Sequence, residues 1–161
     1  MKIQNMKNTI KILTGKIHSG KTTSLFHFMN ENDSVDGILA PIVNDKRKLY
    51  HISTKTMKDL EVDTSNELTI SIGKYHFINE TFIWANEQLE SSYKQHPEWL
   101  IIDELGKLEL KGEGLHKSTK EILEDKSNYN TKIILVIRDY LIGDVLDHYN
   151  IANSEFEILE L

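Results

Sequence analysis

The chain has 161 residues, 39% hydrophobic and 27% charged, with a formal net charge of −6 and no cysteine. Its length suits one ordinary domain, expected over residues 1–161 with the first eight a flexible lead-in. The lack of cysteine excludes disulfides and thiolate metal sites, the scattered acidic residues leave no electrostatic footprint for nucleic acid, and no apolar run approaches the ~20 residues that cross a bilayer.

The N-terminal "MKIQNMKN" leads into an apolar segment broken by Lys11, with no small-residue cleavage site behind it. A cytoplasmic protein without membrane contact is therefore expected. In chain order, a first strand is predicted over Ile10 to Leu13, then a glycine-rich stretch, then a helix over Thr22 to Glu31. Gly37 to Val43, Leu49 to Ser53 and Leu68 to Ile72 read as strands, with a hairpin turned at Asn44-Asp45. Between Asn79 and Lys94, Phe82, Ile83, Ala85, Asn86, Leu89 and Tyr93 recur at three-and-four spacing while Glu80, Glu87 and Glu90 favour another face, which predicts a helix that stops before His96-Pro97. A strand follows at Trp99 to Leu105, a helix at Gly114 to Asp125, a strand at Ile133 to Ile137, a helix at Tyr140 to Tyr149 and a strand at Phe156 to Leu159.

"WLIID" and "IILVI" are apolar throughout rather than alternating, as strands covered on both faces are. The predicted fold is therefore α/β with three layers: a mostly parallel central sheet under helices, with antiparallel strands added from Gly37 to Ile78.

The stretch "GKIHSGKT" matches G-x-x-x-x-G-K-[ST] between a predicted strand and a predicted helix. Gly15, Lys16, Ile17, His18, Ser19 and Gly20 would curl so that backbone N–H groups face inward on a phosphate, with Lys16 and His18 on the outer side. Lys21 would reach the β- and γ-phosphates and Thr22 would place its hydroxyl on Mg²⁺, while Thr23 and Ser24 have lesser roles.

A magnesium ion needs hard oxygen donors, and "WLIIDE" supplies them at the end of a core strand. Asp103 would hold the metal and Glu104 would orient or deprotonate an attacking water. A carboxylate directly after the metal-binding Asp favours hydrolysis over binding alone. Charge on the γ-phosphate calls for a further cation, and the chain has two arginines. Arg138 ends the strand "IILVI" and is the candidate, its alternative being an ion pair with Asp139. Arg47, in "NDKRK", is expected at a solvated hairpin tip.

Four segments carry a resemblance: "TGKIHSGKTT", "GILAPIVNDKRKLYHI", "GKYHFINETFIWANEQL" and "IIDELGKLEL". In that order they resemble the small P-loop nucleoside-triphosphatase family known from thermophiles and from a cancer-related human protein. The last is the most specific, because it extends the carboxylate strand through Gly106, Glu109 and Leu110. The resemblance implies a RecA-like fold and Mg²⁺-dependent hydrolysis of ATP, GTP and other nucleoside triphosphates with weak base discrimination. It also makes Glu109 a candidate for supporting the site, against a plainer role as a helix N-terminal carboxylate. The chain departs from the family pattern at Ile17-His18-Ser19 and in its basic turn, where Lys48 and Leu49 stand in place of an arginine.

Two other functions fit the phosphate motif. A kinase would need an acceptor pocket, and no arginine-rich segment offers a lid over one. A nucleotide-gated adaptor would bind without hydrolysis, although the guanine-reading Asn-Lys-x-Asp is absent. Tyr50, Tyr75 and Phe77 could stack on a base or belong to the core. A protein partner or a homo-oligomer is compatible with either.

Overall fold

A strand with both faces covered is apolar at every position, and the stretches that meet this condition lie at the centre of the sheet. The computed structural model describes residues 9–15, 20–125, 127 and 130–160. The lead-in expected over residues 1–8 lies outside the described residues. So do Lys16, Ile17, His18 and Ser19, the middle of the predicted phosphate loop.

The chain runs β1 (Ile10–Gly15), α1 (Lys21–Glu31), β2 (Val35–Leu39), β3 (Ile42–Val43), β4 (Lys46–His51), β5 (Thr56–Asp59), β6 (Glu61–Val62), β7 (Thr69–Ile72), β8 (Tyr75–Ile78) and α2 (Asn79–Lys94). It continues through β9 (Trp99–Leu105), α3 (Lys107–Leu110), α4 (His116–Glu124), β10 (Lys132–Arg138), α5 (Ile142–His148) and β11 (Phe156–Ile158). The main sheet has the order β11-β1-β10-β9-β2-β4-β3, with β5 on β4. From β11 to β2 every neighbouring pair is parallel, and β4 pairs antiparallel with β2, β3 and β5.

Alternate residues of the central strands feed two cores. Leu100, Ile102, Ile133, Leu135 and Ile137 pack with Phe82, Ala85 and Leu89 of α2, Ile122 of α4 and Val145 of α5. Ile101, Ile134 and Val136 face the other way and meet Leu25 of α1. Each such side chain removed from water contributes roughly 1.5–3 kcal/mol, which is why uninterrupted apolar runs settle here. The predicted three-layer α/β arrangement is what forms.

One glycine is required by the sheet itself. Gly37 has φ +127, and a Cβ on it would lie 2.1 Å from the carbonyl oxygen of Ile101, its partner on β9. Only a residue without a side chain lets β2 lie against β9 at this point.

The antiparallel region differs in detail from its prediction. The strand expected over Gly37 to Val43 is two strands, broken at Ala40-Pro41, because proline has no N–H to continue the ladder. The expected hairpin is present: Asn44 and Asp45 have φ of 51° and 62°, the left-handed pair a two-residue hairpin turn demands. The strand expected at Leu49 to Ser53 spans Lys46–His51 instead. Beyond it, β6, β8 and β7 form a separate three-stranded antiparallel sheet.

The helix predicted from Tyr140 opens with a single tight turn over Asp139–Leu141 before α5 begins at Ile142. The short α3 was not predicted. Among the described residues no helix is long and apolar enough to cross a membrane.

Candidate active site

Parallel pairing places the carboxyl ends of the central strands along one edge, where an α/β sheet leaves a crevice for ligands. Gly15 at the end of β1 is in register with Arg138 at the end of β10, and Ile137 is in register with Leu105 of β9. At this edge α1 begins at Lys21, directly after Gly20, whose φ of +80° only glycine adopts without strain. Lys21 Nζ lies 3.5 Å from the Gly15 carbonyl oxygen, so its side chain bends back toward the end of β1.

Asp103 is completely buried. Its Oδ2 accepts hydrogen bonds from the Thr22 hydroxyl and from the Ala40 N–H, each at 3.0 Å. Its Oδ1 is buried with no hydrogen-bond partner among the described residues. Burial and the neighbouring Glu104 charge push its pKa up to about 6, opposed by the Ala40 N–H, Arg47 and Thr22. A buried carboxylate oxygen left unfilled has room for a further partner, a water or a cation. The Thr22 hydroxyl and the Asp103 oxygens are the hard donors that Mg²⁺ prefers. Among the described residues no group of three or more His, Cys, Asp or Glu side chains is placed to hold a metal ion.

Glu104 follows through a cis peptide bond. Its Oε1 lies 3.1 Å from Nη2 of Arg138, so the arginine pairs with the carboxylate across the site.

Arg47 corrects its prediction. Rather than sitting at the hairpin tip, it lies within β4 opposite Ile42, half-buried, and its Nη1 donates to the Ala40 carbonyl at 2.6 Å. The signal was legible as strand alternation, since Arg47 shares a face with Leu49 and His51, each 2% exposed.

Glu109 is buried in the first turn of α3, where its Oε1 accepts from the Gly106 N–H at 3.3 Å. Its Oε2 has no hydrogen-bond partner among the described residues. Burial pushes its pKa up to about 8, which favours the protonated carboxyl. It packs so closely against Gly114 that a Cβ there would stand 2.5 Å from Oε2. The Gly106 N–H contact puts the Glu109 carboxyl at the N-terminus of α3, as in the plainer reading of this residue.

Two cavities open at this edge. A cleft of about 310 Å³ is lined by Gly20, Lys21, Thr22 and Thr23, with Phe26 and Pro41 on its apolar side. A second chamber, of about 350 Å³, has a largely apolar lining that includes Leu60, Ile72, Phe77 and Leu108. Ile42, Arg47, Glu104 and Arg138 border both. Nothing in the sequence pattern announced the chamber, because its walls come from short strands far apart in the chain. Of the aromatic residues left open, Tyr50 packs 5.7 Å from Phe26, Phe77 packs against Phe82 at 6.1 Å, and Tyr75 stands exposed at the chamber.

The structure thus brings Thr22, Asp103, Glu104 and Arg138 together and adds Arg47. The predicted contacts of Lys16, Ile17, His18 and Ser19 lie outside the described residues.

A family model described as NTPase matches residues 11–159. No curated protein matches the chain. Among solved structures, THEP1 from the hyperthermophile Aquifex aeolicus is similar in fold, with a TM-score of 0.71 at 18% identity, over 94% of this chain and 89% of that one.

Proposed function

We propose that this chain, which belongs to the NTPase family, is a Mg²⁺-dependent hydrolase of nucleoside triphosphates with little selectivity among bases. The observation that carries the reading is the Thr22–Asp103 contact of 3.0 Å with Asp103 Oδ1 left unfilled. Thr22 and Asp103 would hold Mg²⁺, which when bound supplies positive charge to the β- and γ-phosphate oxygens.

The remaining steps belong to the chain itself. Gly15 and Gly20 shape the loop that receives the phosphates, and Lys21 reaches the β- and γ-phosphate oxygens. Glu104 accepts a proton from the attacking water as the water oxygen bonds to the γ-phosphorus and the bond to the β,γ-bridging oxygen breaks. Arg138 stabilises the charge that develops on the γ-phosphate.

The resting ion pair gives this sequence a physical order. Arg138 and Glu104 neutralise each other at 3.1 Å before substrate arrives. A γ-phosphate competes for the guanidinium, and only then is the carboxylate free to act on water. This predicts slow turnover unless a partner shifts the pair.

Low base selectivity rests on the family resemblance and on the cleft, whose lining gathers at the phosphate end. The test is phosphate release from ATP, GTP, CTP and UTP, each with Mg²⁺ and with chelator. Comparable release from all four, lost with chelator, is expected. Metal-independent release would overturn the metal assignment, and tight triphosphate-selective binding without release would favour an adaptor.

A further inference from the structure

Hydrolysis needs room for one water beyond the γ-phosphate, about 30 Å³ of liquid. The chamber beside Glu104 holds about 350 Å³, within the roughly 300–1,000 Å³ range of small-molecule sites. We propose that this chamber binds the organic acceptor of a phosphoryl transfer, a neutral nucleoside-sized alcohol with a flat heteroaromatic ring. The proposal rests on the hydrolase reading, because it uses the same Lys21, Asp103 and Glu104.

Position supports it first. The phosphate motif fixes the direction of the triphosphate, since the loop amides take the inner phosphates and Lys21 takes the β and γ. The γ end therefore points toward Asp103 and Glu104. The chamber begins at Glu104 and Arg138, and Lys21, Thr22 and Thr23 do not line it. It lies ahead of the transferable phosphoryl group, on the side away from the donor's base.

Chemistry supports it next. The apolar wall includes Leu60, Ile72 and Phe77, and the rings of Tyr75 and Phe77 lie within 16° of parallel at 6.5 Å, a flat surface on which a heteroaromatic ring can rest. Arg47, Glu104 and Arg138 stand at the opening shared with the phosphate cleft. An acceptor with one apolar flat end and one hydroxyl end is thus oriented with its hydroxyl at Glu104.

Charge argues for a neutral acceptor. Arg47, Lys107 and Arg138 line the chamber together with Asp45, Glu61, Asp103, Glu104 and the buried Glu109. The carboxylates outnumber the cations, and no surplus cation is left for a phosphate tail. Residues of the β6-β8-β7 sheet and of α3 supply part of the chamber wall, with Tyr75 exposed at its rim.

The step balances without further reagents. The acceptor O–H gives its proton to Glu104 as its oxygen bonds to the γ-phosphorus. The bond to the β,γ-bridging oxygen breaks, and the nucleoside diphosphate leaves with that electron pair. The product is a phosphomonoester, and with no acceptor bound water takes the same place.

The experiment incubates the full chain with Mg²⁺ and γ-labelled ATP in the presence of adenosine, guanosine, cytidine, uridine or thymidine, and measures nucleoside phosphate and free phosphate in the same reaction. At least one nucleoside is expected to give a saturable phosphomonoester while free phosphate falls. Ile72→Trp, which fills the chamber, is expected to lower the ester-to-phosphate ratio about tenfold. Should that variant fail to fold, Tyr75→Ala at the exposed rim is expected to raise the KM for the nucleoside. Free phosphate without ester from any nucleoside overturns the acceptor chamber and leaves the hydrolase reading standing. Ester without acceptor-free phosphate release supports the chamber and overturns hydrolysis as the activity, and neither product overturns both.

Discussion

The parallel centre and the antiparallel flank divide the molecule's work between them. β1, β9 and β10 are buried on both faces, and their ends supply Gly15, Asp103, Glu104 and Arg138. The flank from β3 to β8 is built of strands of two to six residues, mostly half-buried, yet it supplies Arg47 and much of the chamber wall. On the proposed reading, the reacting groups stand on the part of the fold with the most burial to lose. The surface that would choose what they act on stands on the part with the least.

The sharpest way to break that contrast is to remove the same apolar bulk from each region. Leu100→Ala, in a fully buried side chain of β9, is expected to cost about 4 kcal/mol in denaturant unfolding, and Ile70→Ala, half-buried on β7, about 1 kcal/mol. Equal losses would mean that the flank is as firmly packed as the centre.

A smaller effect is expected at the join between the two. Glu109 has a folded-state pKa raised to about 8, so the protein binds its proton more tightly folded than unfolded. The stability this carboxyl permits is full below its unfolded pKa and is lost as pH rises through the folded one. Glu109→Gln removes that dependence. Its unfolding midpoint is expected to match the parent near about pH 4 and to exceed it near about pH 9. A variant with no advantage at high pH would show that the carboxyl is ionised and solvated.

The same contrast governs what could be read from the residues. The central strands were legible because burial on both faces forces apolar residues at every position, and Trp99–Leu105 was located to the residue. The helix over Asn79–Lys94 was equally plain, since one face is buried against the sheet and a proline follows closely. The Thr22 and Asp103-Glu104 positions could be proposed together because the chemistry of a phosphate-and-metal site fixes residue types at fixed spacing, and the structure places Thr22 against Asp103.

The flank was harder to read. Short strands leave too few alternations to set a face, so Arg47 was placed at a tip when its neighbours Leu49 and His51 put it inward. Pro41 ended a strand that the apolar residues on either side appeared to continue. The pairing of Arg138 with Glu104 rather than Asp139 depends on register between distant strands, which no local pattern carries. The chamber was illegible for the same reason.

The central claim is that Lys21, Thr22, Asp103 and Glu104 meet one magnesium-bound triphosphate, with Glu104 acting on the nucleophile. Glu104→Gln tests it most directly when nucleotide affinity and phosphate release are measured on the same protein. Binding of Mg²⁺-ATP is expected to be kept or tightened, since Arg138 is freed from its ion pair, while phosphate release falls about 10²–10⁴-fold. Release at the parent rate would contradict the account.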